Sequence, residues 1–421
     1  MIIAALSGGL VAVTLLLLAM NLMAGEKRIE KKLQHHWGVH DPQFAREIGI
    51  LLGPPIVGGN GVSNLENGEQ IFPAMLGAIR SARHTVTFET YIYWSGEIGR
   101  TFAEALAARA RDGVHVHVLV DWVGSQRMED SLLETMLEAG VQVRRYHPLH
   151  WYQLGRMNNR THRKLMVIDG RVGFTGGVGI ADPWDGHAQD AAHWRDSHYR
   201  IEGPAVAQMQ AAFMDNWIKT SGEVLQGAGY FPALEPAGDA PAQVFVSSST
   251  GGSESMMLMY LMAISAATRS IDLSAAYFVP DALTRRALRD ALGRGVRLRI
   301  VVPGPHIDTA LVRRASRARW GELLEAGAEI REYQPTMFHC KMLIVDCLMV
   351  SVGSTNFDNR SFRLNDEANL NVYDADFAAR VGSVFERDLE LSRKMSHERW
   401  IARPWREKLL ENAAALLSAQ L

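Results

Sequence analysis

Two segments of the sequence carry the same polar residues at the same spacing: a histidine, a lysine two residues later and an aspartate five residues after the lysine. The residues are His162, Lys164 and Asp169 in the first segment and His339, Lys341 and Asp346 in the second. One such pattern could arise by chance. Two in one chain, each continuing into an apolar, β-branched stretch, indicate a shared chemical role.

These residue types suit chemistry on an anionic centre. A histidine and a lysine two residues apart on a β-strand point to the same face of the sheet. If two similar halves pack about a pseudo-twofold axis, both histidines and both lysines converge on one pocket. Two lysines favour an anion, and two histidines suit a nucleophile paired with a general acid. We therefore expect phosphoryl-type transfer through a covalent phosphohistidine, with lysine and asparagine donors neutralising the developing charge and no metal or other cofactor.

The aspartates and the residues after the second motif have different expected roles. Asp169 and Asp346 follow each lysine by an odd number of residues, so on an unbroken strand they face the other way. We group them with the catalytic motifs but interpret them as structural groups at the strand ends. Ser354 and Asn356 follow the second motif in the pattern G-S-x-N, whereas the first motif has glycine at both equivalent positions. The predicted phosphate site is therefore asymmetric, with glycine amides or extra space for substrate on the first side.

The paired motifs resemble those of the phospholipase D superfamily. The flanking stretches THRKLMVIDGRVGFTGG, WRDSHYRIEGPAV, AYFVPD and VGSTNFDNRSFRLNDEANL are similar to its bacterial cardiolipin synthase branch. The resemblance covers roughly residues 72–391. It implies a phospholipid substrate, with His162 attacking phosphorus and His339 protonating the leaving alcohol, although the near-symmetry of the motifs leaves that assignment open. The phosphate ligands that it implies are Lys164, Lys341, Ser354 and Asn356.

The resemblance also implies which groups orient the histidines. A nucleophilic histidine needs an acceptor on its other ring nitrogen, which fixes the tautomer and stabilises the cation. Each half has a carboxylate after its motif and directly before another predicted strand, Asp196 in the first half and Glu367 in the second. In the family, carboxylates at these places hydrogen-bond the catalytic histidines, so we expect the same of both. Asp190, in the loop after the first motif, is a weaker candidate.

Strand and helix patterns alternate along the chain, which indicates an α/β fold with a largely parallel or mixed sheet. Residues 137–148, LEAGVQVRRYHP, match residues 324–335, LEAGAEIREYQP, so the second half repeats the first. We predict two similar phospholipase D-like α/β halves with the active site at their interface; two independent domains on a flexible joint is the alternative. The predicted segments are a transmembrane helix (1–25), a connector (26–50), the first half (51–230), a linker (231–243), the second half (244–395) and a C-terminal amphipathic helix (396–421).

Two segments outside the repeat have two interpretations each. Thirteen residues separate Pro148 from His162, against three in the second half, and this insertion contains Trp151, Tyr152, Arg156 and Arg160. It either lines the pocket and contacts a lipid headgroup or forms a surface loop. The C-terminal segment combines Trp400 and Trp405 with Arg399, Arg403, Arg406 and Lys408 before an apolar stripe. It is either an interfacial helix on anionic lipid or a terminal helix docked on the domain.

The amino terminus predicts a membrane anchor. Residues 2–24 are almost entirely apolar, and 23 residues at about 1.5 Å per residue span a bilayer. No lysine or arginine precedes this stretch, but Lys27, Arg28, Lys31 and Lys32 follow it. The positive-inside rule then places the remaining chain on the cytoplasmic side of the bacterial inner membrane, as a single-pass protein. A cleaved signal peptide is the alternative, although its charge normally precedes the apolar core.

Composition narrows the class of protein. The length of 421 residues exceeds one ordinary core, and the net charge of −2 argues against a polyanion binder driven by bulk charge. The two cysteines, Cys340 and Cys347, both lie in the second motif region, so a disulfide framework is excluded and a reducing compartment fits. We expect both cysteines to be small buried apolar residues.

The sequence leaves four candidate functions to compare. The first is a membrane-bound phosphatidyltransferase that makes cardiolipin and glycerol from phosphatidylglycerol. A phospholipase D that releases phosphatidic acid uses the same chemistry with water as acceptor, and the sequence does not show how water is excluded. A nuclease would need a basic groove, which the charge disfavours, so we expect no nucleic-acid partner. A membrane scaffold with an inactive site does not explain two intact motifs. The oligomeric state is left open.

Overall fold

The computed structural model describes residues 13–14, 29, 33–148, 159–248 and 255–417. The strands of the first half are β1 (Val57–Glu66), β2 (Thr85–Thr90), β3 (His115–Asp121), β4 (Gln142–Tyr146), β5 (Arg160–Thr161), β6 (Leu165–Ile168), β7 (Val172–Gly176) and β8 (Ser197–Glu202). Its helices are α1 (Pro42–Leu51), α2 (Asn67–Ser81), α3 (Glu97–Arg111), α4 (Asp130–Glu138) and α5 (Val206–Ser221).

The second half has a similar series of elements. Its strands are β9 (Ala240–Ser247), β10 (Ser270–Ala275), β11 (Phe278–Val279), β12 (Arg297–Pro303), β13 (Glu329–Tyr333), β14 (Lys341–Val345), β15 (Met349–Gly353), β16 (Phe357–Asp358), β17 (Asn365–Tyr373) and β18 (Ser392–Met395). Its helices are α6 (Ser255–Ala266), α7 (Ala282–Gly293), α8 (Ala310–Arg317), α9 (Gly321–Glu325), α10 (Asn359–Arg363), α11 (Ala375–Glu390), α12 (His397–Ile401) and α13 (Trp405–Ala415).

One mixed sheet of 16 strands runs through both halves. From its centre the first half reads β1-β8-β7-β6-β2-β3-β4 and the second reads β9-β17-β15-β14-β10-β12-β13-β18. The strands β2, β3 and β4 are parallel, as are β10, β12 and β13, whereas the inner strands are antiparallel. The prediction of two similar α/β halves is confirmed. The halves meet where β1 pairs with β9 in the antiparallel sense.

The inner strands are buried on both faces, which explains their continuous apolar runs LMVI and MLIV. One hydrophobic cluster contains side chains from both halves, including Leu165 and Val167 from β6 with Met342 and Ile344 from β14. The two halves therefore share one core and one sheet, which is not the arrangement of two independent domains on a flexible joint. Strand β9 begins at Ala240, so the last residues of the predicted linker lie in the sheet.

The predicted membrane segment and the predicted C-terminal helix can be compared with the structure only in part. The predicted membrane segment lies outside the described residues apart from Val13 and Thr14. Among the residues that are described, none of the helices has the length and apolar character needed to cross a bilayer. The C-terminal segment forms two helices, α12 and α13, rather than one. Pro404 separates them, because proline restricts the residue before it and is accommodated only at a helix start.

The cysteines divide into one buried and one exposed residue. Cys340 is buried, and burial raises the pKa of its thiol. Cys347 is exposed, so the expectation that both are buried is wrong for this residue. Asp346 and Cys347 both have positive φ, at 52° and 56°, in the tight turn between β14 and β15. At this turn the chain leaves the sheet, and the Cys347 side chain is exposed whereas that of Asp346 is buried.

Candidate active site

Both motif histidines line one cavity of about 300 Å³ between the two halves. His162 follows β5 and His339 precedes β14, and both side chains are buried. The same cavity is lined by Lys164 and Asn356. Several lining residues follow the carboxyl ends of the parallel strands, which is where ligands bind in many α/β sheets. The convergence expected from a pseudo-twofold arrangement is therefore present.

Each histidine contacts the carboxylate of the opposite half. Nδ1 of His162 lies 3.0 Å from both Oε1 and Oε2 of Glu367. Nδ1 of His339 lies 2.7 Å from Oδ2 of Asp196. In each case the hydrogen on Nδ1 is donated to the carboxylate, which leaves Nε2 as the ring nitrogen available for chemistry. Asp196 and Glu367 thus contact the histidines, and the pairing between halves is crossed.

Strand register produces this crossing. Strand β5 pairs in parallel with β17, which places Thr161 opposite Asp366, and the backbone N–H of His162 donates to the Asp366 carbonyl at 2.8 Å. A parallel bridge likewise joins Phe338 to Arg195, and the His339 N–H donates to the Arg195 carbonyl at 2.8 Å. In each of these two pairs, the next residue on one strand is a histidine and the next residue on the other is the carboxylate that it contacts. The two halves therefore depend on each other for a complete site.

Each carboxylate has a second donor, and the donor differs between halves. Ser354 Oγ donates to Glu367 Oε2 at 2.5 Å. Trp184 Nε1 donates to Asp196 Oδ2 at 2.9 Å. The sequence predicts Ser354 as a phosphate ligand, but this residue is not among those that line the cavity, and its buried hydroxyl is engaged by Glu367 and by the Ala368 N–H. Ser354 instead holds the carboxylate that contacts His162.

The glycines of the first motif have a packing reason. A Cβ at Gly177 would overlap the carboxylate of Asp196, so no side chain fits where the second half has Ser354. The Trp184 indole supplies the missing donor from the other side. A Cβ at Gly179 would lie 2.8 Å from Cβ of Ile92, so an asparagine is excluded there. The space expected for a larger substrate is occupied by Ile92 and Trp184.

The lysines reach back to their own motifs. Lys164 Nζ donates to the His162 carbonyl at 2.9 Å, and Lys341 Nζ donates to the His339 carbonyl at 2.6 Å. Burial, followed by the charge of the other lysine, lowers the pKa of Lys164 to about 7. Burial also lowers the pKa of Lys341, against the opposing effect of Asp196. Two buried ammonium groups beside each other favour an anionic ligand.

The histidines and their carboxylates have shifted pKa values. Burial is the main cause that lowers the pKa of His162 to about 4, and it also lowers the pKa of His339. Burial alone would raise the pKa of Glu367, but His162 beside it brings that pKa below the usual value. Asp196 behaves in the same way, with His339 as the counteracting group. At neutral pH, His162 is therefore an uncharged imidazole next to an ionised carboxylate.

The Nε2 atoms of the two histidines have different surroundings. Within the described ranges, no side chain hydrogen-bonds Nε2 of His162, whereas Nε2 of His339 lies 3.1 Å from Lys341 Nζ. The His339 ring also packs against Trp184 and Trp194, with centroid distances of 5.4 and 5.6 Å. The near-symmetry of the sequence motifs is thus broken in the site. Asn356 lines the cavity, and its buried Oδ1 finds no partner among the residues described.

The motif aspartates lie elsewhere. Asp169 accepts the backbone N–H groups of residues 83–85 at 2.7–2.9 Å, and Asp346 accepts those of residues 268–270 at 2.7–2.8 Å. Neither is among the side chains that line the cavity. These contacts agree with the interpretation of both aspartates as strand-end groups, and they place neither carboxylate with the histidines and lysines with which the sequence motif groups it. Both have a φ of 52°, which explains an aspartate at this turn.

Replacing Asp346 with alanine is expected to lower stability rather than chemistry. The change leaves three backbone N–H groups without their acceptor and places alanine at positive φ. Hydrogen bonds to a carboxylate are worth about 1.5–3 kcal/mol each, so we expect a loss of about 3 kcal/mol or more in the free energy of unfolding. Urea unfolding measures it. Asp346→Asn keeps an acceptor and tolerates the turn, so it should lose less; an equal loss would contradict this role.

Several cavity residues were not identified from the sequence. Tyr91 packs against His162 with a centroid distance of 5.2 Å, and Arg360 and Asp308 also line the cavity. A tyrosine or arginine without a repeated spacing gives no signal in a single sequence. Trp184 had one weak signal, its position just after the first motif. Asp190 instead contacts His193 at 2.7 Å, in an exposed loop.

The insertion before the first motif is only partly described. Trp151, Tyr152 and Arg156 lie outside the described residues. Arg160 lines the cavity and donates to the His147 carbonyl at 3.2 Å. One end of the insertion therefore reaches the pocket. Among the residues described, no three metal-ligating side chains come together, and the expectation of a reaction without a cofactor stays a prediction.

Comparison with known families supports the sequence resemblance. A family model described as "Cardiolipin synthase, PLD-like domain" matches residues 75–217 and 260–389, more than half of the chain. Each matched segment contains one of the two H-x-K motifs. The internal repeat of the sequence and the two halves of the sheet thus correspond to two copies of one domain type.

Curated relatives cover nearly the whole chain. A cardiolipin synthase of Halalkalibacterium halodurans is 33% identical over 406 residues, 96% of this chain and 80% of that protein. The major cardiolipin synthase of Bacillus subtilis is 35% identical over 362 residues, 85% of this chain and 75% of that protein. The identity is high enough to establish a family.

Solved structures share the fold. The crystal structure of phosphatidylserine synthase from Haemophilus influenzae aligns with a TM-score of 0.70 at 14% identity, covering 90% of this chain and 100% of that one. The crystal structure of polyphosphate kinase from Porphyromonas gingivalis aligns with a TM-score of 0.55 at 13% identity, covering 89% and 53%. At these identities the likeness concerns the fold alone.

Proposed function

Because the chain belongs to the cardiolipin synthase family of phospholipase D-like proteins, we propose that it is a phosphatidyltransferase that makes cardiolipin from phosphatidylglycerol. The observation that carries this proposal is the pair of crossed histidine–carboxylate contacts in one cavity. Such a cavity offers a nucleophile and a general acid on opposite sides of a bound phosphodiester.

In the first step, Nε2 of His162 attacks the phosphorus of one phosphatidylglycerol. The P–N bond forms as the bond from phosphorus to the glycerol headgroup oxygen breaks. Protonated His339 donates its Nε2 proton to that oxygen, and glycerol leaves. Glu367 stabilises the positive charge that develops on the His162 ring. Lys164, Lys341 and Asn356 neutralise the non-bridging oxygens.

In the second step, a hydroxyl of another phosphatidylglycerol attacks the phosphohistidine. His339, now neutral, takes the hydroxyl proton as the P–O bond forms and the P–N bond breaks. The products are cardiolipin and the free imidazole of His162. The net reaction converts two phosphatidylglycerol molecules into cardiolipin and glycerol, and both histidines return to their starting protonation states.

The geometry supports His162 rather than His339 as the nucleophile. Its Nε2 faces the cavity without a described hydrogen-bond partner, and its pKa of about 4 keeps the imidazole unprotonated. Nε2 of His339 lies 3.1 Å from an ammonium group, which disfavours attack from that nitrogen. An anionic phosphodiester bound between the lysines would raise the pKa of His339 and so favour the proton that an acid needs.

We propose that residues 1–25 anchor the protein in the bacterial cytoplasmic membrane as a single helix, with the catalytic halves on the cytoplasmic side. The apolar stretch and the lysines and arginine that follow it support this topology. The anchor keeps the cavity near its lipid substrate. With Cys347 replaced by serine, a cysteine placed in the connector should not react with a membrane-impermeant thiol reagent added outside intact cells and should react once the membrane is opened; labelling in intact cells would contradict this orientation.

Purified full-length protein in phosphatidylglycerol vesicles, with products identified by mass spectrometry, tests the function. We expect cardiolipin and one glycerol per cardiolipin. Phosphatidic acid without cardiolipin would mean that water is the acceptor and that the protein is a hydrolase. No lipid product from folded protein would contradict both lipid activities.

The dependence of activity on pH follows from the shifted pKa values. His162 must be unprotonated to attack, so kcat/KM should fall as pH drops through about 4. Lys164 and His339 act in their protonated forms. The pKa of His339 is lowered from the usual histidine value and that of Lys164 is about 7, so kcat/KM should already fall below pH 7 and continue to fall above it. Bound phosphodiester stabilises both cations, so the alkaline fall in kcat should occur at higher pH than that in kcat/KM. The pH dependence of kcat and kcat/KM should be measured with dispersed short-chain phosphatidylglycerol as the substrate. An acid limb near the usual histidine value would contradict the assignment.

A further inference from the structure

The last described helix, α13, exposes an apolar surface on the side away from the fold. The outer stripe consists of Trp405, Leu409 and Leu410 in α13 and of Leu416 and Leu417 in the turn that follows it. The exposed fractions are 69% for Trp405, 62% for Leu409 and 84% for Leu416. Single exposed apolar residues are ordinary, but a group of five on one helix and the turn after it indicates a binding surface.

Helical spacing places the three stripe residues of α13 on one side. At 3.6 residues per turn, Trp405, Leu409 and Leu410 lie within an arc of about 140° on α13. The opposite arc contains Glu411, Ala414 and Ala415, which are buried against α8. The helix is therefore apolar on two sides, and only one of them has a partner among the described residues.

The fold holds α13 in place, so the exposure of the stripe is not that of a frayed end. Glu411 is buried and forms ion pairs with Arg403 and with Arg317, the latter at 3.4 Å. Arg319 donates to the Ala415 carbonyl at 3.2 Å. These contacts fix the inner side of α13, and hence the direction in which the outer stripe faces.

The helix that carries the outer stripe packs on a helix that lines the catalytic cavity. Helix α8, on which α13 packs, contributes Val312 to the cavity lining, and Thr309 directly before α8 lines it too. Val312 packs in the same small cluster as Ala414 of α13. One side of this helix pair therefore borders the cavity, and the other side presents the stripe.

Cationic side chains accompany the stripe, whereas Glu407 of the same helix lies toward α8, 3.8 Å from Arg317. Arg406 lies within its arc, and Lys408 and Arg399 are close in sequence. Ile401, on α12, adds another exposed apolar side chain. Apolar residues flanked by arginine and lysine suit the interface of a bilayer that contains anionic lipid.

We propose that the outer stripe of α13 docks on an anionic bilayer surface and holds the cavity opening at the headgroup level. This inference rests on the proposed function, in which the substrate is an anionic membrane lipid. Docking at a fixed point beside the cavity would let a phosphatidylglycerol headgroup enter without leaving the bilayer. A second copy of this chain is the other partner that an apolar stripe would fit, and the experiment distinguishes the two.

The test uses full-length protein in vesicles of phosphatidylglycerol that carry brominated acyl chains, which quench nearby fluorophores. Cys347→Ser removes the exposed thiol, and a fluorophore is attached to Leu409→Cys or to the control Leu137→Cys. Leu137 is also exposed, at the end of α4 that leads into β4, away from the carboxyl ends of the parallel strands. We expect several-fold stronger quenching at position 409 than at position 137. Equal quenching at both, or none at 409, would overturn the proposal, as would efficient crosslinking between 409 cysteines of two copies.

An activity measurement separates docking from folding. The triple variant Trp405→Ser, Leu409→Ser, Leu416→Ser changes only exposed side chains. We expect about a tenfold lower rate on phosphatidylglycerol bilayers and an unchanged rate on dispersed short-chain phosphatidylglycerol. Equal loss on both substrates would indicate a structural effect and overturn the proposal. If the unsubstituted protein converts neither substrate, the proposed function fails instead.

Discussion

Protein with His162 replaced by alanine is expected to form no phosphohistidine and to lose at least about 10³-fold in cardiolipin synthesis. No other described imidazole has the same contact with Glu367 and the same access to the cavity. Because the variant lacks the atom that bonds to phosphorus, both steps of the transfer are lost together. Radiolabelled phosphatidylglycerol, followed by quenching with detergent at mildly alkaline pH and gel electrophoresis without acid, measures the trapped intermediate.

The matched substitution is His339→Ala, which removes the acid but keeps the nucleophile. With phosphatidylglycerol, whose leaving alkoxide is poor, we expect a loss of about 10²–10⁴-fold. With a phosphatidyl ester of p-nitrophenol, which leaves without a proton, His339→Ala should still release nitrophenol and accumulate phosphohistidine. His162→Ala should not be rescued. His115→Ala, an exposed histidine at the start of β3, controls for general effects. Trapping of phosphohistidine on His339 in the wild-type protein would reverse the assignment.

Much of this site could be predicted from the sequence, because the repeated spacing identifies the histidines and lysines, and each half has a carboxylate near the start of a strand. Asp196 directly precedes β8, whereas Glu367 lies inside β17 rather than before it as predicted. What could not be predicted is set by contacts between distant segments. The crossing of His162 to Glu367 depends on β5 pairing with β17, and no pattern within either strand specifies that register. A one-residue shift would place a different side chain opposite each histidine.

The remaining differences have the same origin. Ser354 belongs to a motif that suggests a phosphate ligand, yet close approach of β15 and β17 directs its hydroxyl to Glu367. Trp184 fulfils the equivalent role for Asp196 from a segment with no counterpart in the second motif. The two repeated halves thus share the histidine–carboxylate contact but use different hydrogen-bond donors to the carboxylate. A comparison of the two sequence motifs alone does not detect this difference.

Crossed pairing makes a second prediction with a large effect. Glu367→Gln and Asp196→Asn each preserve shape but remove the charge that stabilises an imidazolium, and such a change at a catalytic histidine costs up to about 10⁴-fold. If the pairing is crossed, Glu367→Gln affects the nucleophile although it lies in the second half. Its loss should then be similar with phosphatidylglycerol and with the nitrophenyl ester.

Asp196→Asn should instead affect the acid, although it lies in the first half. We expect a loss of about 10²–10⁴-fold with phosphatidylglycerol and recovery of most of the phosphohistidine formation with the nitrophenyl ester, as for His339→Ala. The double variant Asp196→Asn, His339→Ala should be little worse than His339→Ala alone, because both changes remove one function. Pairing within each half predicts the reverse assignment, with rescue in Glu367→Gln and none in Asp196→Asn. The nitrophenol release of these two variants therefore decides between the two arrangements, and it does so independently of which acceptor completes the reaction.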